Sequence, residues 1–297
     1  MSEQPQRADR VYHILGVPLR SGSLMPGSEN DAQPYRTVGL LRRLQAAGCR
    51  AVDDGDVAIP SYLPHHSIPP FRSWPGPRIA WECVGERIAP ILEQPGHVPL
   101  LIGCDCSVVV GTVQALRRTV GEDVHLLYVD GDFDDAAPRA DRCQSAAAMA
   151  LWLAMHGEPF CAGPLLKPAQ VSVIGWTSGS QAGDDHGGVS SWPLAEIRRA
   201  GAAVTAQRVL AGIPASAGVV LHLDIDVLSP REMPAAYFPH EDGLRLSEAA
   251  ELLGVLLRDP RIRIIEVSEY ASLRDIDQRH VTQLADLLVH GLDSRLA

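Results

Sequence analysis

Residues 126–135 read LLYVDGDFDD. An apolar run, Leu126-Leu127-Tyr128-Val129, stops abruptly, and Asp130, Asp132, Asp134 and Asp135 follow within six residues. Like charges packed that closely repel, and burying them without partners is costly. At the end of a buried strand such a cluster needs something positive beside it: counterions in solvent, a basic side chain, or metal.

Outward from this stretch, apolar strands alternate with amphipathic helices. RVYHILGVPL (10–19), VPLLIGCDCS (98–107), VHLLYVD (124–130), AQVSVIGW (169–176), GVVLHLDIDVLSP (218–230) and RIRIIEVSEY (261–270) read as strands, the fifth being the longest. Between and after them, TVGLLRRLQAAGC, VVVGTVQALRRTVG, SAAAMALWLAMHG, LAEIRRAGA, LSEAAELLGVLLRD and QRHVTQLADLLVHGL carry helical spacing. This alternation predicts an α/β fold, a mostly parallel sheet sandwiched by helices. No linker divides the 297 residues, so one domain over 1–297 is expected. The proline-rich segment from about 50 to 80, with His65 and His66, reads as an ordered surface loop.

Composition limits the function. A chain that is 46% hydrophobic with no long apolar run fits a globular protein with a large core and no membrane span. The polar start, MSEQPQRADR, lacks a signal-peptide core, which predicts a cytoplasmic location. A formal charge of −10 without a basic stripe argues against nucleic acid or anionic membrane as partners. Six cysteines in such a chain do not imply a disulfide framework.

Sites in open α/β sheets form at the carboxyl ends of strands. Three strand ends here carry ligand-type residues: Asp105 and Cys106; Asp130, Asp132 and Asp134; Asp224 and Asp226. The D-x-D spacing puts alternate side chains on one side, so each cluster can converge. Taken singly, each is also compatible with a solvated turn or a helix cap. Facing each other, they point to a carboxylate-bridged divalent-metal site.

The order of these motifs resembles the arginase/agmatinase (ureohydrolase) superfamily. That family reads G-G-D-H-S, D-A-H-x-D, S-x-D-x-D-x-x-D-P and E-V-N-P at successive strand ends; this chain reads GCDCS, DGDFD, HLDIDVLSP and IEVSEY. The resemblance implies an arginase-like three-layer α/β/α fold and hydrolysis of guanidino or related C–N bonds at a manganese centre. It implies Asp130, Asp134, Asp224 and Asp226 as metal ligands and Glu266 as the partner of a cationic substrate. It also implies a small-molecule substrate and a homo-oligomer.

The two remaining ligand positions, histidine in the family, are Cys106 and Asp132 here. A thiolate at 106 favours zinc or ferrous iron over manganese, so the cofactor is a divalent metal, Mn2+ by resemblance, as one or two ions. Cys106 can also be a nucleophile or packed core, and Asp132 can be a general base if one metal position is lost. Where the family carries a proton-shuttle histidine, the ungapped match is Ala147, and His156 lies a helix away. CDCSV, YVDGDFD, LHLDIDVLSPREMPAAY and the E-x-x-E of Glu266 and Glu269 are similar to the N-hydroxyarginine amidinohydrolase of D-cycloserine biosynthesis. The expected function is a metal-dependent hydrolase of a linear C–N bond in specialised metabolism; the alternative is an inactive ureohydrolase-fold partner subunit. Asp184, Asp185 and His186 are candidates to read a substrate amino group, with a solvated loop as the competing reading, while His125 and His222 read as satisfied core histidines.

Overall fold

The structure, a computed structural model, describes residues 10–295 except 19, 24, 26, 28, 61–64, 178–186 and 294. Asp184, Asp185, His186 and the side chain of His65 therefore lie outside the described residues. Among the described residues, ten strands follow in chain order: β1 Val11–Gly16, β2 Arg50–Asp56, β3 His65–Ile68, β4 Phe71–Pro75, β5 His97–Cys104, β6 Val124–Val129, β7 Val171–Ile174, β8 Ser190–Trp192, β9 Gly218–Asp224 and β10 Ile262–Ser268. Eight of them form one sheet in the order β2-β1-β5-β10-β9-β6-β7-β8. Every neighbouring pair in it is parallel.

β6 and β9 are buried at every position because helices cover both faces, which is why they read as unbroken apolar runs. Side chains alternate between two cores. Leu127 and Val129 join one with the helices Leu194–Ala200, Ala202–Ala211, Leu246–Leu256 and Arg279–Leu292. Leu126 and Tyr128 join the other with Gly76–Leu92, Val109–Val120 and Ala150–His156. Carboxylates tie down helix starts: Glu232 and Glu248 accept the Leu246 and Arg245 amides that open Leu246–Leu256.

The strand order positions the site. After β5 the chain crosses to β6, skipping two places that β9 and β10 later fill. The carboxyl ends of β5, β10, β9 and β6 therefore lie side by side in the middle of the sheet. This is the crevice expected of a doubly wound α/β fold.

Two expectations are corrected. The segment 50–80 is not a surface loop: it holds edge strand β2, the β3–β4 hairpin and the first turn of the helix Gly76–Leu92. β2 alternates too weakly to be read, with exposed Asp53-type positions on a sheet edge. Its Val52 is 39% exposed, so no apolar periodicity marks it. Nor is the β9 segment the longest strand, since β5 has eight residues and β9 seven. The chain leaves β9 at Asp224, whose carboxylate accepts the Asp226 amide at 2.7 Å and starts a 3-10 turn, Ile225–Val227.

Candidate metal centre

At the β5 end, Gly103 adopts φ +75, and a Cβ there would lie 2.5 Å from the Ala32 backbone nitrogen. Only glycine fits so close an approach. Asp105 then organises the turn rather than facing the crevice: it accepts the Ser107 amide and hydroxyl and, across the chain, the Gly22 amide at 3.0 Å. That turn delivers Cys106, 2% exposed, with its Sγ donating to Asp224 Oδ2 at 2.7 Å. Burial, and then the charges of Asp224, Asp134, Glu269 and Asp130, push the Cys106 thiol well above its ordinary range. Without a cation its proton is held toward Asp224 and burial disfavours the thiolate.

At the β6 end, Asp130 Oδ1 accepts the Asp132 amide at 2.7 Å, while its Oδ2 is buried with no hydrogen-bond partner. Burial, and then the charges of Asp226, Asp224 and Asp134, push its carboxyl well up. Asp224, Asp134 and Glu269 are pushed the same way, burial first in each. Asp134 takes φ +45 and accepts Tyr128 OH at 2.7 Å. Asp132 is exposed and its Oδ1 accepts the adjacent Phe133 amide at 2.7 Å.

Two groups of ligand atoms, each within 4.8 Å of one another, share Asp130: Cys106, Asp130, His222 and Asp224; and Asp130, Asp226 and His240. Cys106, Asp130, Asp224 and Asp226 thus converge as the sequence predicts. Asp134 lies beside them, close enough to exchange a hydrogen bond with Cys106. Asp132 does not join them; once its amide is capped by Asp130, its side chain turns to solvent.

Glu266 is fully buried, with Oε2 held by His222 Nδ1 at 2.6 Å. The other ring nitrogen, Nε2, lies 3.0 Å from Ser268 Oγ, and the ring stacks on Tyr128 with centroids 4.5 Å apart. His222 is a satisfied core histidine, as its strand position predicts, yet its Nε2 also faces the first group. A ligating histidine whose other nitrogen bonds a carboxylate is a common metal-site arrangement. Glu269 instead reaches the crevice from a left-handed backbone, φ +57, with Oε2 accepting Ser23 Oγ at 3.1 Å and Oε1 unpartnered. Among the described residues, four non-glycines have positive φ, and Asp134 and Glu269 are two of them. Strained backbone of this kind collects at functional sites.

His125 sits in β6 with Nε2 4.0 Å from Asp123 Oδ1, and His66 and His156 are exposed. Ala147 is buried, its amide donating to Gly22 O at 2.8 Å.

The sequence model of the arginase family matches residues 10–292. The chain belongs to the arginase family. An arginase of Bacillus caldovelox is 24% identical over 291 residues, covering 94% of this chain and 96% of that protein. The crystal structure of an arginase from Bacillus cereus superposes with a TM-score of 0.83 at 22% identity, over 97% of this chain and 100% of that one. The proclavaminate amidino hydrolase of Streptomyces clavuligerus superposes with a TM-score of 0.72 at 20% identity, over 98% and 94%. The shared fold is the parallel eight-stranded sheet flanked by helices. No helix among the described residues is long and apolar enough to cross a membrane.

A divalent cation fits this arginase-family site. Buried carboxylates that repel one another, a buried Asp130 oxygen without a partner and soft and imidazole donors beside them form a cation's donor set. Sequence reasoning missed His240 and undervalued Glu269. His222 was findable, since it shares a strand face with Asp224 two residues on. No periodicity marks His240, which lies in the irregular segment between β9 and the helix Leu246–Leu256.

Proposed function

We propose that this protein is a divalent-metal-dependent hydrolase cleaving a C–N bond of a guanidino, N-hydroxyguanidino or related amidine substrate. The observation that carries the reading is Asp130, shared by both donor groups with one buried oxygen unpartnered. Cys106, Asp130, Asp134, Asp224 and Asp226 would hold the metal, with the thiol favouring zinc or ferrous iron beside manganese. Bound there, the cation supplies Lewis acidity, polarising the substrate and lowering the pKa of water towards neutrality.

The chain's own residues supply the rest. Glu269, anchored by Ser23 and with Oε1 free, offers a buried carboxylate to an amidinium. Glu266, engaged by His222, acts one step back by orienting that imidazole. The amidino hydrolase among the structural relatives supports an amidine substrate. Ala147 puts no proton donor at the place where the family carries its shuttle histidine. A leaving nitrogen less basic than an alkylamine needs less such help, which favours substrates of that kind.

The test is elemental mass spectrometry of protein purified without chelator, followed by a screen of guanidino, N-hydroxyguanidino and formimino compounds for release of urea, hydroxyurea or formamide. One or two divalent ions per chain with turnover of one class is the expected result. A chain that takes up no manganese, zinc or iron would sink the reading.

A further inference from the structure

We propose that His240 is a metal ligand, delivered from outside the ligand motifs to a cation position that it shares with Asp130 and Asp226, and that Gly131 is what admits it. This rests on the metal-hydrolase reading above. It adds a ligand that no motif in the sequence announces.

The segment carrying His240 is held at both ends. Its base is closed by the Leu228–Leu244 bridge, with Ser229 N donating to Leu244 O at 2.8 Å. Three residues before His240, the Tyr237 amide donates to Glu269 O at 2.9 Å and its hydroxyl to Asp31 Oδ2 at 3.0 Å. Two residues after it, Asp242 pairs with Arg198 at 2.6 Å. Gly243 packs so tightly that a Cβ would lie 2.6 Å from Val227 O. His240 is thus presented from a fixed frame.

The frame brings the imidazole over the β6 turn. His240 Nε2 is buried and without a hydrogen-bond partner, 3.4 Å from Asp226 Oδ2, and the ring is 21% exposed. Asp130 Oδ2 is the second buried, unpartnered atom of the same group. An ion pair engages His240 with Asp226 at 3.4 Å without a well-aligned hydrogen bond, and it leaves the Asp130 oxygen orphaned. A cation between the three satisfies both atoms at once.

Gly131 is the enabling position. A Cβ there would lie 2.2 Å from His240 Cδ2, 2.7 Å from its Nε2 and 2.9 Å from Asp226 Oδ1. An alanine, the residue in the family pattern, cannot coexist with the ring where it stands. Glycine at 131, the exposed Asp132 and the arrival of His240 form one coherent exchange: an imidazole given up at 132 returns from residue 240.

The experiment compares metal binding by wild type, H240A and G131A, all as the full chain. Each is dialysed free of metal, titrated with zinc and manganese by calorimetry and weighed for bound ions by elemental mass spectrometry. Thermal unfolding of the chelated proteins checks that the variants fold. The wild type is expected to hold one ion more than H240A, or to bind the last ion at least about 10-fold more tightly. G131A should show the same loss with His240 chemically intact. In wild type labelled with 15N-histidine, the His240 Nε2 resonance should shift on zinc addition. Unchanged stoichiometry and affinity in both variants, or a His240 resonance blind to zinc, would overturn the inference while leaving the metal reading intact. A wild type that binds no ion overturns both.

Discussion

The ends of β6 and β9 carry the same short pattern, D-x-D, and begin the same way. Asp130 Oδ1 accepts the Asp132 amide, and Asp224 Oδ1 accepts the Asp226 amide, each at 2.7 Å. There the likeness ends. After β9 the chain tightens into a buried 3-10 turn, and Asp226 points inward at 5% exposure. After β6 it runs through Gly131 into irregular chain, Asp132 faces solvent, and the left-handed Asp134 turns back toward the cluster instead. Identical local capping thus fixes where a strand ends but not which way the next carboxylate faces. The turn that follows, and what packs over it, decides that.

The comparison can be broken most decisively at the second aspartate of each pair. Asp226→Ala removes an inward carboxylate that also holds the Gly131 amide at 3.1 Å. Metal affinity measured by calorimetry should fall by more than about 100-fold, beyond the cost of losing an outer partner. A loss under tenfold would mean that the inward geometry does not matter to binding.

Asp130→Asn probes the first aspartate with the opposite sign. In chelated protein it relieves repulsion among buried carboxylates that at 4 Å amounts to about 4 kcal/mol per ionised pair at an effective dielectric of 20. Protonation already removes most of this, so the expected gain is about 1 kcal/mol, or about 2–4 °C in Tm. The same variant should bind metal worse. Destabilisation of the chelated form would show that Asp130 is held by something other than a cation. The smallest effect belongs to Asp132→Asn, which should leave both ion content and affinity within about twofold, as expected of an exposed side chain. A large loss there would bring Asp132 back as a ligand and erase the contrast between the two turns.

Much of the fold was legible because it is written in local periodicity. Val124–Val129 and Gly218–Asp224 read as buried runs since both faces are covered, and Leu246–Leu256 as a helix since one face is apolar. β2 and the β3–β4 hairpin were not, being edge elements rich in polar residues and proline that give no clean period. In the site, Asp130, Asp224 and Asp226 were readable from D-x-D at a strand end. The setting of Glu266 was not, because position on a strand does not reveal a partner on its neighbour: His222, 44 residues away, takes Oε2 and leaves Oε1 buried without a hydrogen-bond partner.

By itself, then, the chain's sequence determined an alternating α/β architecture and a ring of carboxylates at its strand ends, since periodicity and capping act over two to four residues. Tertiary structure alone decided which carboxylates converge and which imidazoles join them. His222 meets Glu266 across a β9–β10 register, Gly131 meets Asp226 across 95 residues, and His240 arrives on an anchored loop. Such meetings depend on the order in which strands are laid into the sheet, and no local period in a sequence encodes that order.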